Sequence, residues 1–228
     1  MPEWKNDTDL FDVMRKKLYT AVVGDIMDTT EYTNQFLPPS IKPLKDHMVV
    51  VGRAMTVLEA DCFSKELVYE KETKPFGLMF EALDDLKNNE VYICTGSSPS
   101  YALWGELMST RAAILGSAGA VLNGYSRDTR GILEMDFPTF SMGSYAKDQG
   151  IRGRVIDFRC PIRFQNNVLV RPGDIVFGDI DGVLIIPQDI ETEVVEKALE
   201  KVRGENKVRE EIINGMSTVD AWNKYKVM

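Results

Sequence analysis

Residues 102–128, ALWGELMSTRAAILGSAGAVLNGYSRD, decide how this chain is read. Apolar positions recur at helical spacing over 102–115, so the pattern predicts a helix closed by GSAG at 116–119. A short buried strand is expected at 120–122, followed directly by the polar run Gly124, Tyr125, Ser126, Arg127 and Asp128. In α/β proteins, polar residues just beyond the carboxyl end of a buried strand line the usual ligand crevice. A helix leading away and a strand leading back return Arg127 and Asp128 to the level of Gly105–Met108. The first turn of a helix carries backbone N–H groups without intrahelical partners, which bind carboxylate or phosphate oxygens. Gly105 allows a ligand close to the backbone there. Arg127 supplies a fixed cation for an anion, and Asp128 a hard oxygen ligand for Mg²⁺ or Mn²⁺. Taken singly, each piece has a plain structural reading: a packing glycine, a solvated Glu106, a turn with a surface ion pair. Taken jointly, they face one crevice.

Outward from this unit, residues 8–30 show apolar spacing that predicts one or two short helices, with Thr8 or Asp9 as cap. Residues 48–58 read as one or two buried strands, 76–89 as a helix ending at Asn88–Asn89, and 91–95 as a strand. After residue 143 the pattern turns to short strands (RVIDF, IRF, VLV, IVFGD, VLIIP) punctuated by Pro172-Gly173 and Asp181-Gly182. Helical periodicity returns from 189 to about 213, and the tail after Gly215 predicts a final short helix. These elements point to one α/β domain over 1–228, with C-terminal helices at 189–228 and a candidate insertion at 62–89.

Composition narrows the function. The 228 residues carry 35 acidic and 27 basic side chains, a formal charge of −8, which argues against nucleic acid or an anionic membrane as partner. No apolar run approaches the ~20 residues of a spanning helix. Three scattered cysteines and no secretion signal predict a reducing, cytoplasmic setting. The single histidine, His47, lies in a polar stretch and is expected at the surface, so Ser-His or Cys-His triads lack their base. Zinc spacing and both glycine-rich phosphate motifs are missing as well. Any chemistry therefore falls to carboxylates, Arg, Lys, backbone amides and a hard metal.

The chain resembles the RraA-like proteins. The resemblance is carried by LYTAVVGDIMD (18–28), VVGRAMTV (50–57), the 102–128 stretch, FPTFSMG (137–143) and VRPGDIVFGDIDGVLIIP (170–187). That family includes class II pyruvate aldolases acting on 4-hydroxy-4-methyl-2-oxoglutarate or 4-carboxy-4-hydroxy-2-oxoadipate, and the regulator of ribonuclease E activity A. The resemblance implies an αββα sandwich with a mixed sheet, similar to swivelling domains of phosphohistidine enzymes. It also implies homotrimers or dimers of trimers with sites near subunit interfaces. Its G-[DE]-x-[LM] loop falls on Gly105, Glu106, Leu107 and Met108, whose amides would hold a pyruvate carboxylate. Its R-D pair falls on Arg127, toward the keto oxygen or carboxylate, and Asp128, the direct Mg²⁺ ligand. Glu106 and the partner subunit's Glu205 would hold metal-bound waters, one of which would serve as base. Family members often carry an acid three positions after that Asp; here Gly131 stands there, preceded by Arg130.

The implied activity is cleavage of a 4-hydroxy-2-oxo acid to pyruvate and a carbonyl product, with oxaloacetate decarboxylation sharing the same enolate. A metal or a Lys Schiff base can accept the developing charge, and no lysine falls in either loop. The alternative is a non-catalytic regulator that binds a ribonuclease, for which an acidic surface suits a basic partner. A menaquinone methyltransferase role, also attached to some members, lacks a glycine-rich cofactor turn here.

Overall fold

A computed structural model describes residues 4–62 and 74–227. Two helices open the chain, α1 (Asp7–Lys17) and α2 (Thr20–Met27). Asn6, not Thr8 or Asp9, caps α1, accepting from the Asp9 N–H. The apolar run around Gly52 forms one continuous strand, β2 (Val50–Asp61), preceded by the two-residue β1 (Lys42–Pro43). The helix expected over 76–89 is confined to α3 (Met79–Asp84), because the preceding backbone pairs instead with β8 (Gly153–Phe158). Leu78 N–H donates to the Val155 carbonyl and Val155 N–H to the Phe76 carbonyl. Most of the first half of the candidate insertion, 63–73, lies outside the described residues.

β3 (Glu90–Thr95), β5 (Gly119–Leu122) and β7 (Thr139–Ser141) extend the sheet beside β2, all parallel. Parallel neighbours need long crossovers. Between β3 and β5 the crossover is β4 (Ala102–Trp104) with α4 (Glu106–Ile114), and between β5 and β7 it is β6 (Tyr125–Ser126) with α5 (Thr129–Glu134). On the other side of β2 lies the antiparallel hairpin of β11 (Ile175–Asp179) and β12 (Gly182–Ile186), turned by Asp181-Gly182. The result is an eight-stranded mixed sheet in the order β1-β7-β5-β3-β2-β11-β12, with β8 also on β2. Beyond Leu58 the register of β2 against β8 shifts, a bulge at Glu59.

Alternation along β2 assigns its faces. Val51 packs with α1, α2 and the long α6 (Glu191–Ile213), while Met55 and Val57 pack with α3, α4 and Trp104. Val50 and Ala54 face the opposite side, covered by the small hairpin of β9 (Ile162–Arg163) and β10 (Leu169–Val170). Arg53 lies between the two helical layers and bonds Asp7 of α1 (2.6 and 2.9 Å), Glu191 of α6 (3.0 Å) and the Gly173 carbonyl (3.2 Å). The chain closes with α7 (Thr218–Tyr225), capped by Ser217. His47 is exposed and bonds Asp136 at 2.8 Å. No helix among the described residues is long and apolar enough to cross a membrane.

Candidate active site

The decisive stretch folds differently at its start from the pattern's suggestion. Ala102–Trp104 is a fully buried strand, and helix begins only at Glu106. The reason is pairing: β4 lies parallel to β6, and Arg127 N–H donates to the Trp104 carbonyl at 2.8 Å. Trp104 meets Tyr92 of β3 in a tilted contact at 4.8 Å, and its indole N–H donates to Ser109 Oγ, which in turn donates to the Gly105 carbonyl. A buried anchor thus fixes the helix start. Gly105 is the extended N-cap of α4 and makes no side-chain cap bond, so the amides of Glu106, Leu107 and Met108 form the open first turn.

The β4–β6 pairing brings Arg127 and Asp128 against this turn. A β-carbon on Gly105 would stand 2.8 Å from Asp128 Oδ2 and 3.6 Å from Arg127 Cγ. Asp128 caps α5 in left-handed backbone (φ 53°, ψ 31°), a conformation Asp adopts more readily than most residues. Arg127 reaches Asp148 at 2.7 Å and Asp128 at 3.6 Å. All three side chains are about two-fifths to one-half exposed, so they meet solvent and a ligand alike. Asn123, donating to Thr95 Oγ1 at 2.8 Å, ties the carboxyl ends of β5 and β3 together beneath the crevice. Arg127, Asp128, Gly105, Leu107 and Met108 line one pocket of about 240 Å³, as the joint sequence reading expected.

Glu106 points elsewhere. Its carboxylate occupies the space where a side chain on residue 131 would begin. Glu205 of the same chain lies on α6, where the Tyr19 hydroxyl donates to it and Lys201 stands at 3.9 Å. Burial, then that carboxylate, pushes the Tyr19 hydroxyl up to about 12. Glu205 lines a separate surface pocket with Val208, Arg209 and Ile212, so one copy of the chain does not bring it to Asp128.

Sequence reasoning missed the far wall. Asp148 and Gln149 line the pocket from the turn before β8, a stretch without periodicity that betrayed nothing. Behind them sits Glu59, wholly buried, with one carboxylate oxygen accepting from Gln149 Nε2 at 2.7 Å and the other unpartnered. Burial pushes its carboxyl up to about 8 despite that bond. A readable signal existed here, since an acid follows Met55 and Val57 at inward spacing. The loop before β4 is held by Asp61, which accepts from Ser98 N–H, Ser98 Oγ and the Tyr101 hydroxyl. Burial opposes ionisation of Asp61, but those bonds outweigh it and keep its carboxyl below the usual range.

As to a metal, no three His, Cys, Asp or Glu side chains cluster as ligands among the described residues. A caged ion does not fit. A hydrated Mg²⁺ does, since it retains several waters and takes one or two carboxylates. Asp128 offers a solvent-accessible hard oxygen at the open space left by Gly105.

Comparison with known proteins agrees with the architecture. The RraA-like family model (Aldolase/RraA) matches residues 20–185. The chain is 32% identical over 198 residues to a Halalkalibacterium halodurans protein named "Putative 4-hydroxy-4-methyl-2-oxoglutarate aldolase", covering 86% of this chain and 84% of that one. It is 29% identical over 207 residues to protein DlpA of Legionella pneumophila, covering 90% of this chain but spanning only 32% of DlpA. The crystal structure of Streptomyces coelicolor RraAS2, described as an unusual member of the RNase ES inhibitor RraA protein family, superposes with a TM-score of 0.76 at 19% identity. That match covers 91% of this chain and 99% of RraAS2, a likeness of fold.

Proposed function

We propose, from the premise that this chain belongs to the RraA-like family, that it is a divalent-metal-dependent lyase cleaving a 4-hydroxy-2-oxo acid to pyruvate and a carbonyl product. The observation that carries the reading is the placement of Arg127 and Asp128 against the open first turn of α4 within one pocket. A Mg²⁺ or Mn²⁺ ion at Asp128 would, when bound, supply the Lewis acidity that such a cleavage requires.

The chain's own groups do the rest. Amides at 106–108 receive the substrate carboxylate, oriented by the helix start that Trp104 anchors. Arg127, steadied by Asp148 at 2.7 Å, presents its guanidinium to the keto oxygen, where negative charge grows as the C3–C4 bond breaks. A donor fixed beforehand costs no reorganisation during the reaction, and this kind of preorganisation is usually the largest catalytic term. Asp128, 3.6 Å from Arg127, lines the pocket with its carboxylate. The same arrangement would decarboxylate oxaloacetate, which also leaves its electrons on pyruvate. Glu106, rotating from above Gly131, and the partner subunit's Glu205, in a trimer, are the carboxylates proposed to take up the C4 hydroxyl proton through water.

The test is release of pyruvate, coupled to lactate dehydrogenase, from 4-hydroxy-2-oxo acids and oxaloacetate with Mg²⁺ and with chelator. Metal-dependent release is expected. No pyruvate from any of them defeats the reading.

A further inference from the structure

The pocket is lined by two chemically distinct sets of groups. Its polar groups are Arg127, Asp128, Asp148 and Gln149, together with the α4 amides. The rest of its lining is mostly apolar and includes Phe76, Met79 and Phe80, from the segment leading into and through α3, and the Leu107 and Met108 side chains of α4. Phe76 and Phe80 meet edge to face at 5.5 Å, and both phenyl rings border the opening. Phe80 is 55% exposed and Leu107 83% exposed, large apolar surfaces adjoining one cavity. Surface of this kind gathered at a cavity marks a binding face more often than a scattered exposed side chain does.

The charges sharpen the point. Arg127 is the one cation in the described lining, and it already faces two carboxylates, Asp128 and Asp148. With the α4 amides it can hold one anionic group. Within one copy of the chain, a second carboxylate on the ligand would meet Phe, Met and Leu side chains and no counter-charge, and would forgo the apolar contact they offer. Arg130, the other nearby arginine, is 93% exposed, pairs with Glu134 at 2.8 Å, and does not line the pocket.

We infer that the pocket selects a 2-oxo acid bearing a single carboxylate and an apolar aliphatic or aryl group at its far end. The inference rests on the lyase reading for the identity of the carboxylate end. Phe80 and Leu107 are then the specificity-determining residues, acting on the half of the molecule that departs as the carbonyl product.

Binding separates this from the chemistry. Calorimetry on the full chain with Mg²⁺ compares 2-oxo-4-phenylbutanoate with 2-oxoglutarate, which share the 2-oxo acid head and differ at the tail. The phenyl compound should bind about tenfold tighter or better, since each buried methylene in an apolar pocket discriminates by at least that factor. Phe80→Ala should bring the two affinities together, and Leu107→Lys should favour 2-oxoglutarate; both positions are exposed, so folding is preserved. Equal or tighter binding of 2-oxoglutarate by the unaltered protein overturns the inference, as does a phenyl preference that survives Phe80→Ala. A phenyl preference without pyruvate release from any 4-hydroxy-2-oxo acid upholds the apolar subsite and sinks the lyase reading instead.

Discussion

The carboxylate of Asp128 lies 2.8 Å from the point where a β-carbon on Gly105 would stand. The backbone at Gly105 is extended (φ −151°), so alanine meets no conformational barrier there; the obstacle is the carboxylate alone. Gly105→Ala should therefore fold with near-normal stability, an N-cap change of this kind costing about 1 kcal/mol or less. Its turnover should drop about 10²-fold, the penalty typical of displacing a reacting group by about 1 Å. Thermal melts and pyruvate release on the same preparation check both halves.

Asp128→Asn removes charge without disturbing the left-handed backbone, which asparagine tolerates. Turnover should be lost and not rescued by raising Mg²⁺. Arg127→Ala should lower kcat by about 10²–10³, as removal of one oxyanion donor does, with a smaller change in KM. Unchanged rates in both variants reject the assignment.

Glu59 ties stability to pH. Its folded carboxyl titrates near 8 against an ordinary value of 4.5, so the folded state holds a proton that the unfolded chain releases. The contribution is complete below pH ~4.5 and fades as pH rises to about 8, by up to about 1.4 kcal/mol per unit. At pH 7 the loss is of order 3 kcal/mol. Glu59→Gln should flatten this slope and raise stability at pH 8 relative to the parent, as read from urea midpoints at pH 5 and pH 8.

Arg53 joins α1 and α6 to the sheet through Asp7 and Glu191. Truncation to alanine leaves Glu191 largely buried without its partner, so about 2–3 kcal/mol of stability should go, discounted because Asp7 is half exposed. Hydrogen bonding to Arg53 holds the Asp7 carboxyl below its usual 3.8. This share of stability is present above that value and lost as pH falls below it, so acid unfolding of Arg53→Ala should begin from a lower plateau. Denaturant titration at pH 3 and pH 6 checks it.

Periodicity placed the helices at 7–27 and 191–225 and the strands β2, β3, β5, β8, β11 and β12, because each buries one face or is buried on both, and left the short β1 and β7 unread. It failed at Ala102–Trp104, where a run with helical spacing is held as strand by Tyr125 and Ser126, a tertiary pairing invisible locally. The meeting of Gly105 with Arg127 and Asp128 was legible because only a short helix and a strand separate them. Asp148 and Gln149 were not, since a loop contact across 90 residues leaves no spacing to read. Shortening of the helix at α3 has the same origin, in the pairing of Gly77 with Val155.

Glu106 resting over Gly131 couples the two positions. Positions 106 and 131 draw on one small volume, so their substitutions are not independent. A side chain can enter at 131 only once the glutamate has swung away or been shortened. A change at either position is therefore felt at the other, and the two substitutions do not add.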